Sequence, residues 1–403
     1  DYKTKDFPKT ISENQDLDFE IEIVDNFELG IKKLLLFARS TKRKILSAEN
    51  LLLSFSSSSE LSKNNIKYLY DLLETSLTEN NRIKTLFDEW NRIFGDIYGK
   101  QETDFTKFKS DLISMYSLPK NIEIRKCLFV LQTYYSIVIK LLIHNLLESL
   151  TDPTSETKKP KYKNELSSLF SGNHYTNYYI DNFFEIHFFE WFILSEDFDI
   201  EIIHNIINEL DTFETTASVI KPEIVSDVLK KVYSNLIPRG LRHLMGEYYT
   251  PDWLVDFTIE KSNFDFELKS TILDPTCGSG TFLTHLIKKF RDKHKDKVEV
   301  NNLISTITKN IVGFDINPIA VISAKANYIL SLGDITELKN EISIPVYMCD
   351  SILVPTVHAK QIEKKHSIDI NTVVGNFEIP VFDSREKNDY FLKTTSSCIL
   401  KDY

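Results

Sequence analysis

Through the first 239 positions, apolar residues recur at intervals near 3.6. Ile66, Leu69, Leu72, Leu73 and Leu77 are one such series, a spacing that gathers side chains on one face of an α-helix. The same pattern predicts helices over roughly 83–95, 105–116, 122–149 and 222–236. Ser56-Ser57-Ser58-Ser59 reads as a loop that caps the helix after it. Residues 152–163 are polar, carry Pro153 and Pro160, and end in Lys158-Lys159-Pro160-Lys161-Tyr162-Lys163, as expected of a surface loop or hinge.

Beyond Gly240 the texture changes. Short apolar strands are expected at 270–273, 310–314, 344–349 and 370–374, with helices at 281–291 and 318–332. Strands separated by helices imply right-handed crossovers and a parallel sheet with helices on both faces, which binds ligands at the carboxyl ends of its strands. Glycine marks the same boundary: Gly30, Gly95, Gly99 and Gly172 precede residue 240, and the other seven of eleven fall in residues 240–403. The expected organisation is a mostly helical region, 1–239, with its hinge at 152–163, and an α/β domain, 240–403.

Composition narrows the class. At 403 residues, 42% apolar and 12% aromatic, the chain has material for two or three domains and sizeable cores. With 48 basic and 59 acidic residues, its net charge of −11 excludes a small basic DNA-coating protein. A nucleic-acid enzyme stays open, because phosphate needs only a local basic cleft. Cys127, Cys277, Cys349 and Cys398 are scattered without a CxxC, which argues against disulfides and structural zinc and fits a reducing cytosol. His144, His174, His187 and His243 show no ligand spacing, so no metal is expected. The sequence opens at Asp1 without Met and shows no signal peptide. The apolar run 127–147 is cut by Lys140, His144 and Asn145, so a buried helix of a soluble, cytoplasmic protein is expected rather than a membrane span.

The strongest chemical signal is Leu273-Asp274-Pro275-Thr276-Cys277-Gly278-Ser279-Gly280-Thr281-Phe282-Leu283. Two glycines one residue apart let the backbone turn sharply and approach a ligand, and the helix behind them aims its N–H groups and positive dipole end at that ligand. The dinucleotide fingerprint GxGxxG is not met, since Leu283 stands at its third glycine. Asp274 sets a carboxylate ahead of the turn, which suits a ligand carrying a cation.

This segment resembles motif I of the N6-adenine DNA methyltransferases of restriction-modification systems. Gly246-Glu247-Tyr248-Tyr249-Thr250-Pro251 resembles the family's Tyr-Thr-Pro segment, Gly313-Phe314-Asp315-Ile316-Asn317-Pro318 its second-strand motif, and Cys349-Asp350-Ser351 its third-strand motif. The resemblance covers about 240–376. It implies a Rossmann-like S-adenosylmethionine-dependent methyltransferase domain in which Tyr249, Thr250, Pro251, Asp274, Thr276, Cys277, Gly278, Gly280, Thr281 and Phe282 surround the methionine end. Asp315 with Ile316 would take the ribose, and Asp350 with Ser351 the adenine. Read without the family, Asp315 also suits a helix cap before Pro318, Asp350 a turn, Tyr248 and Tyr249 the core, and Thr250-Pro251 a helix start.

The catalytic motif of that family, Asn or Asp followed by Pro-Pro-aromatic, is met only in part by Gly375-Asn376-Phe377-Glu378. Asn376 and Phe377 are the catalytic candidates: the amide holds the target amine and the ring stacks on a flipped base. Either the site has decayed, or a segment is missing between Asn376 and Phe377; the second is favoured by the opening without Met and the abrupt end at Tyr403. Only 27 residues follow Asn376, too few for the rest of the sheet and a target-recognition domain, which are expected beyond Tyr403 or on a partner.

The activity implied is methyl transfer to the N6 amine of adenine in double-stranded DNA, in phage defence, beside a specificity or nuclease subunit or fused domain. The alternatives are a silent subunit that binds cofactor and DNA, and a methyltransferase for RNA or protein glutamine. Three weaker patterns take plainer readings. The run 288–297, with six basic and two acidic residues, reads as a solvated helix end. The aromatics between Tyr178 and Phe192 read as packing, and 19–23 as an edge strand.

Overall fold

The computed structural model describes residues 43–98, 105–151, 157–183, 188–214, 235–244, 250–333, 338–351, 367–372 and 375–380, with single positions 229, 232 and 335. The edge strand expected at 19–23, Cys398, and nearly all of the helix expected at 222–236 lie outside them. Helix starts follow local capping chemistry. Ser47 caps α1 (Ala48–Phe55), and Ser59, the last of the serine run, caps α2 (Glu60–Glu79) by accepting from Ser62 N at 3.5 Å. Asn80 accepts from Arg82 N and Ile83 N at 2.9 and 3.2 Å and starts α3 (Asn81–Tyr98). After α4 (Lys109–Tyr116) comes α5 (Ile124–Thr151), the expected long apolar helix.

At 28 residues, α5 is about 42 Å long. By length and composition it is fit to cross a membrane, yet residues 127–148 are all buried in protein. A polar stripe explains why. Gln132, Ser136, Lys140, His144 and Glu148 recur every four residues and are all buried. Trp90 Nε1 donates to Gln132 Oε1 at 2.8 Å, Lys140 Nζ donates to Glu190 Oε1 and to Phe170 O, each at 2.8 Å, and Tyr178 OH donates to Glu148 Oε1 at 2.9 Å. Burial lowers the pKa of Lys140, and Glu190 opposes the shift. Such groups are tolerated best against polar partners, which neighbouring elements supply for Gln132, Lys140 and Glu148.

Those elements are α6 (Lys163–Phe170), 3-10 turns at Asn173–Tyr178 and Phe188–Leu194, and α7 (Glu201–Leu210). Lys44–Ile45 (β1) pairs in parallel with Phe213–Glu214 (β2). The aromatic cluster is packing, as expected: Phe183, Phe189, Trp191 and Phe192 are buried, although Tyr179 is 47% exposed.

The second part runs through α8 (Arg239–Leu244), α9 (Asp252–Lys261), β3 (Ile272–Asp274), α10 (Thr281–His294), α11 (Val300–Asn310), β4 (Ile311–Asp315), α12 (Pro318–Leu332) and β5 (Val346–Met348). The three strands pair in parallel in the order β3-β4-β5. Pro318 at its first turn and the Asn317 cap, which accepts from Ile319 N at 3.0 Å, start α12 where the sequence predicts. α12 is buried almost throughout and touches α5 and α10, so the helical part and the sheet share one core.

The fourth expected strand departs from the reading. Ser367–Thr372 (β6) pairs antiparallel with Gly375–Pro380 (β7), and among the described residues neither joins the three-stranded sheet. The cause is legible afterwards: both segments alternate apolar and polar residues, with Ile370 opposite Phe377 and Ile368 opposite Ile379. That period suits a hairpin better than a parallel strand covered on both faces.

A short splice joins the two parts. Asp181 N donates to Ile342 O at 3.0 Å and Ile342 N to Tyr179 O at 2.8 Å. Buried Asn182 accepts from Ile344 N at 2.6 Å and donates to Ile344 O at 3.1 Å, while Lys325 of α12 donates to Asn182 O at 2.5 Å. Asn182→Ala leaves the Ile344 N–H buried without that acceptor and is expected to cost about 1–3 kcal/mol, read by urea denaturation. A loss below about 0.5 kcal/mol, the range of ordinary surface changes, would mean that the splice is not a stabilising joint.

Candidate functional site

The turn between β3 and α10 is bound to the neighbouring strand at two points. Cys277 N donates to Phe314 O at 2.8 Å, and Gly278 N donates to Asp315 Oδ2 at 2.8 Å. Gly278 and Gly280 have φ of 54° and 86°, the left-handed region that glycine enters without penalty. Their surroundings differ. A Cβ on Gly280 would stand 3.2 Å from Ala324 of α12, whereas one on Gly278 would meet nothing within 4 Å. Gly280 is thus a packing position and Gly278 lines open space. Asn327 of α12 steadies the turn by donating to Ser279 O at 2.8 Å.

Carboxylates gather at the strand ends. Asp274 ends β3 and Asp315 ends β4, while Asp350 lies just past β5. Register pairs Asp274 with Gly313 and Asp315 with Met348, so each carboxylate stands two residues further along than the one before. Asp274 accepts from Thr276 N at 3.2 Å, and Asp315 Oδ1 accepts from Asn317 N at 2.9 Å. Cys349 N donates to the Asp315 carbonyl at 2.9 Å and brings Asp350 and Ser351 to the same edge.

Burial raises the pKa of Asp315, opposed by the Asn317, Gly278 and Ile316 N–H groups. Burial also raises that of Asp274; the Thr276 N–H opposes it and the Asp315 charge adds to it. The Cys277 thiol is pushed far up by burial and by both carboxylates, which makes it a packing group rather than a nucleophile. Thr281 is buried behind it, while Phe282 and Ile316 are half-buried.

Thr250 and Pro251 lead into α9, which docks on α10 through His285. His285 Nδ1 lies 3.0 Å from Asp256 Oδ1, and its Nε2 lies 3.8 Å from Asp252 Oδ1. Burial raises the Asp256 pKa, but the His285 hydrogen bond and the His285 and Lys289 charges outweigh it and leave the carboxyl below its ordinary value. Tyr248 and Tyr249 lie outside the described residues. Asn376 and Phe377 lie in β7, with Asn376 opposite Asn371, instead of following a parallel strand.

Sequence reasoning missed the pair His285–Asp256. It placed Gly313 and Asn317 in the second-strand motif without a role for either: a Cβ on Gly313 would lie 2.6 Å from Leu283 Cδ1, and Asn317 donates to Tyr98 OH at 2.8 Å. The Asn-Pro after Asp315 was the available signal for Asn317. The basic run behaves as a helix end: Lys293 bonds Glu267 at 2.9 Å and the Asp265 carbonyl, and Arg291 donates to Ser331 O at 2.9 Å.

Known proteins match this part of the chain. Residues 225–389 fit the model of the family described as N-6 DNA Methylase. That segment is therefore similar to the family over about two fifths of the chain. The segment is also similar to the type I restriction enzyme MjaVII methylase subunit of Methanocaldococcus jannaschii, 26% identical over 164 residues. That match takes in 41% of this chain and 24% of the relative, so the chain spans about a quarter of that protein's length. A nuclease-deletion mutant of the type ISP restriction-modification enzyme LlaGI, in complex with a DNA substrate mimic, matches 80% of this chain and 23% of its own at 12% identity and a TM-score of 0.40. A modification subunit of a type I restriction enzyme from Vibrio vulnificus matches 63% and 57% at 14% identity and a TM-score of 0.35.

The raised Asp274 carboxyl gives a signed pH effect. A folded-state pKa above the unfolded one contributes stability that is present below the unfolded value and lost as pH rises through the folded value. Asp274→Asn is therefore expected to raise the melting temperature at pH 7 and to change it little near pH 3.5. Equal melting of both chains at pH 7, or a lower value for the variant, would contradict the strained carboxylate.

Proposed function

We propose that the chain transfers a methyl group from S-adenosylmethionine to the N6 amine of adenine in DNA, within a restriction-modification or related phage-defence system. The observation that carries this reading is the open turn at Gly278, edged by Asp274, Asp315 and Asp350, inside the segment that fits the N-6 DNA methylase model. Under this reading, residues 240–403 form a Rossmann-like methyltransferase domain behind a helical region, 1–239, and act in the cytoplasm.

The residues present suit the donor. The space beside Gly278 and the helix start at Thr281 accommodate an amino-acid end carrying both charges, with Asp274 and Thr276 through Phe282 around it. Each Asp315 oxygen already holds one backbone N–H and retains a lone pair for a ribose hydroxyl. Asp350 and Ser351 would take the adenine amine, and Tyr249, Thr250 and Pro251 would cover the methionine end. The sulfonium of the bound donor supplies a methyl group that is already activated for transfer. The protein's task is positioning: Asn376 accepts from the target amine and Phe377 stacks on the base. Double-stranded DNA is the substrate, with a specificity or nuclease subunit or fused domain as partner.

The silent-subunit reading rests on one observation: Asn376 sits inside an antiparallel strand and is followed by Phe377-Glu378 instead of Pro-Pro-aromatic. Transfer of a labelled methyl group to mixed-sequence DNA separates the two. The methyltransferase reading predicts label at adenine N6, abolished by Asn376→Ala with donor affinity within about twofold of wild type. Donor binding without any transfer would favour the silent subunit, and label on RNA or protein glutamine alone would overturn the DNA assignment.

A further inference from the structure

A cluster remote from the sheet ends has the composition of a metal site. His144 and Glu148 lie one turn apart on α5, and His174 lies on the 3-10 turn Asn173–Tyr178. One ligand atom from each lies within 4.8 Å of the other two. The two imidazoles meet edge to face with centroids 5.0 Å apart, and His174 Nε2 stands 3.7 Å from Glu148 Oε1. His144 is 2% exposed.

Two ring nitrogens of the cluster are unaccounted for by protein. His144 Nδ1 and His174 Nε2 are both buried without a hydrogen bond. His144 Nε2 is 3.1 Å from the Lys158 carbonyl, a contact that places the ring proton on Nε2 and leaves the lone pair on Nδ1. Metal-binding histidines characteristically anchor their second nitrogen on such a carbonyl. Tyr178 OH, donating to Glu148 Oε1 at 2.9 Å, orients the carboxylate in the same way. A plain hydrogen-bonded cluster would satisfy Glu148 but would leave the buried His144 nitrogen orphaned, which burial penalises.

We propose that His144, Glu148 and His174 bind one divalent transition-metal ion of the zinc class, with water completing the shell. Two imidazoles and one carboxylate suit zinc, whereas magnesium and calcium demand oxygen ligands. Zinc–ligand bonds near 2.1 Å set ligand atoms about 3.4 Å apart, so the three side chains must draw in by roughly 1 Å on binding. His174, on a single 3-10 turn, is the ligand with most freedom to do so. Lys158 Nζ, 3.7 Å from Glu148 Oε2 on a side chain 80% exposed, is the competing cation and can swing into solvent. The ion would tie the last turns of α5 to the 3-10 turn that leads into the Asn182 splice.

The test uses the full chain, stripped with chelator and titrated with Co²⁺ and then Zn²⁺. The expected result is one equivalent of Co²⁺ with the intense visible absorption of four-coordinate cobalt, displaced by Zn²⁺, and a higher melting temperature in Zn²⁺. His174→Ala should abolish the band, and the near-isosteric Glu148→Gln should weaken binding at least tenfold while keeping the Tyr178 contact. Lys158→Ala should tighten binding severalfold. The proposal is overturned if wild-type chain takes up no stoichiometric Co²⁺ or Zn²⁺, or if Glu148→Gln binds as wild type does.

Discussion

One carboxylate holds the candidate site together. Asp315 stands at the end of β4, accepts from Gly278 N through one oxygen and from Asn317 N through the other, and offers its carbonyl to Cys349 N. The glycine turn, the cap of α12 and the exit of β5 therefore take their positions from a single residue. The arrangement has an energetic cost, because burial disfavours the charge of Asp315 and the neighbouring Asp274 bears a strained charge of its own. Sites commonly trade stability for function in this way.

The surroundings make that cost bearable. α12 is covered by the helical part on one side and by α10 on another, and the Asn182 splice and the Tyr135–Ser323 hydroxyl contact at 3.1 Å fasten the two parts. Gly280, pressed against Ala324, sets how closely α10 approaches α12, and this fixes the direction from which the first turn of α10 faces the open space at Gly278. Positioning of that kind is what a group-transfer site needs from a scaffold.

Legibility in the sequence followed the range of the interactions. α12 was read to its ends because Pro318 and the apolar run to Leu332 mark it locally, although its cap is Asn317 and not Asp315. α5 was read as buried because its polar residues could not face lipid. The turn at 274–282 was legible through its glycines, and the structure brings those residues together with Asp315 and Asp350. The β6–β7 hairpin was misread because 370–374 was judged without its alternating flanks, and α11 was overlooked between the louder motifs, whereas the start of α9 was offered by Thr250-Pro251. The His285–Asp256 bond joins two elements, and His174 reaches the i, i+4 pair His144 and Glu148 of α5 from another element. No spacing along the chain announces such meetings; they arise from tertiary packing alone.

The most direct measurement is calorimetric titration of the folded chain with S-adenosylmethionine and with S-adenosylhomocysteine. The account predicts one site for each, weakened by about 1.5–3 kcal/mol, or roughly 10- to 150-fold, in Asp315→Ala through loss of charge-assisted hydrogen bonds. Absence of binding by folded wild-type chain, or an unchanged affinity in Asp315→Ala, would contradict it.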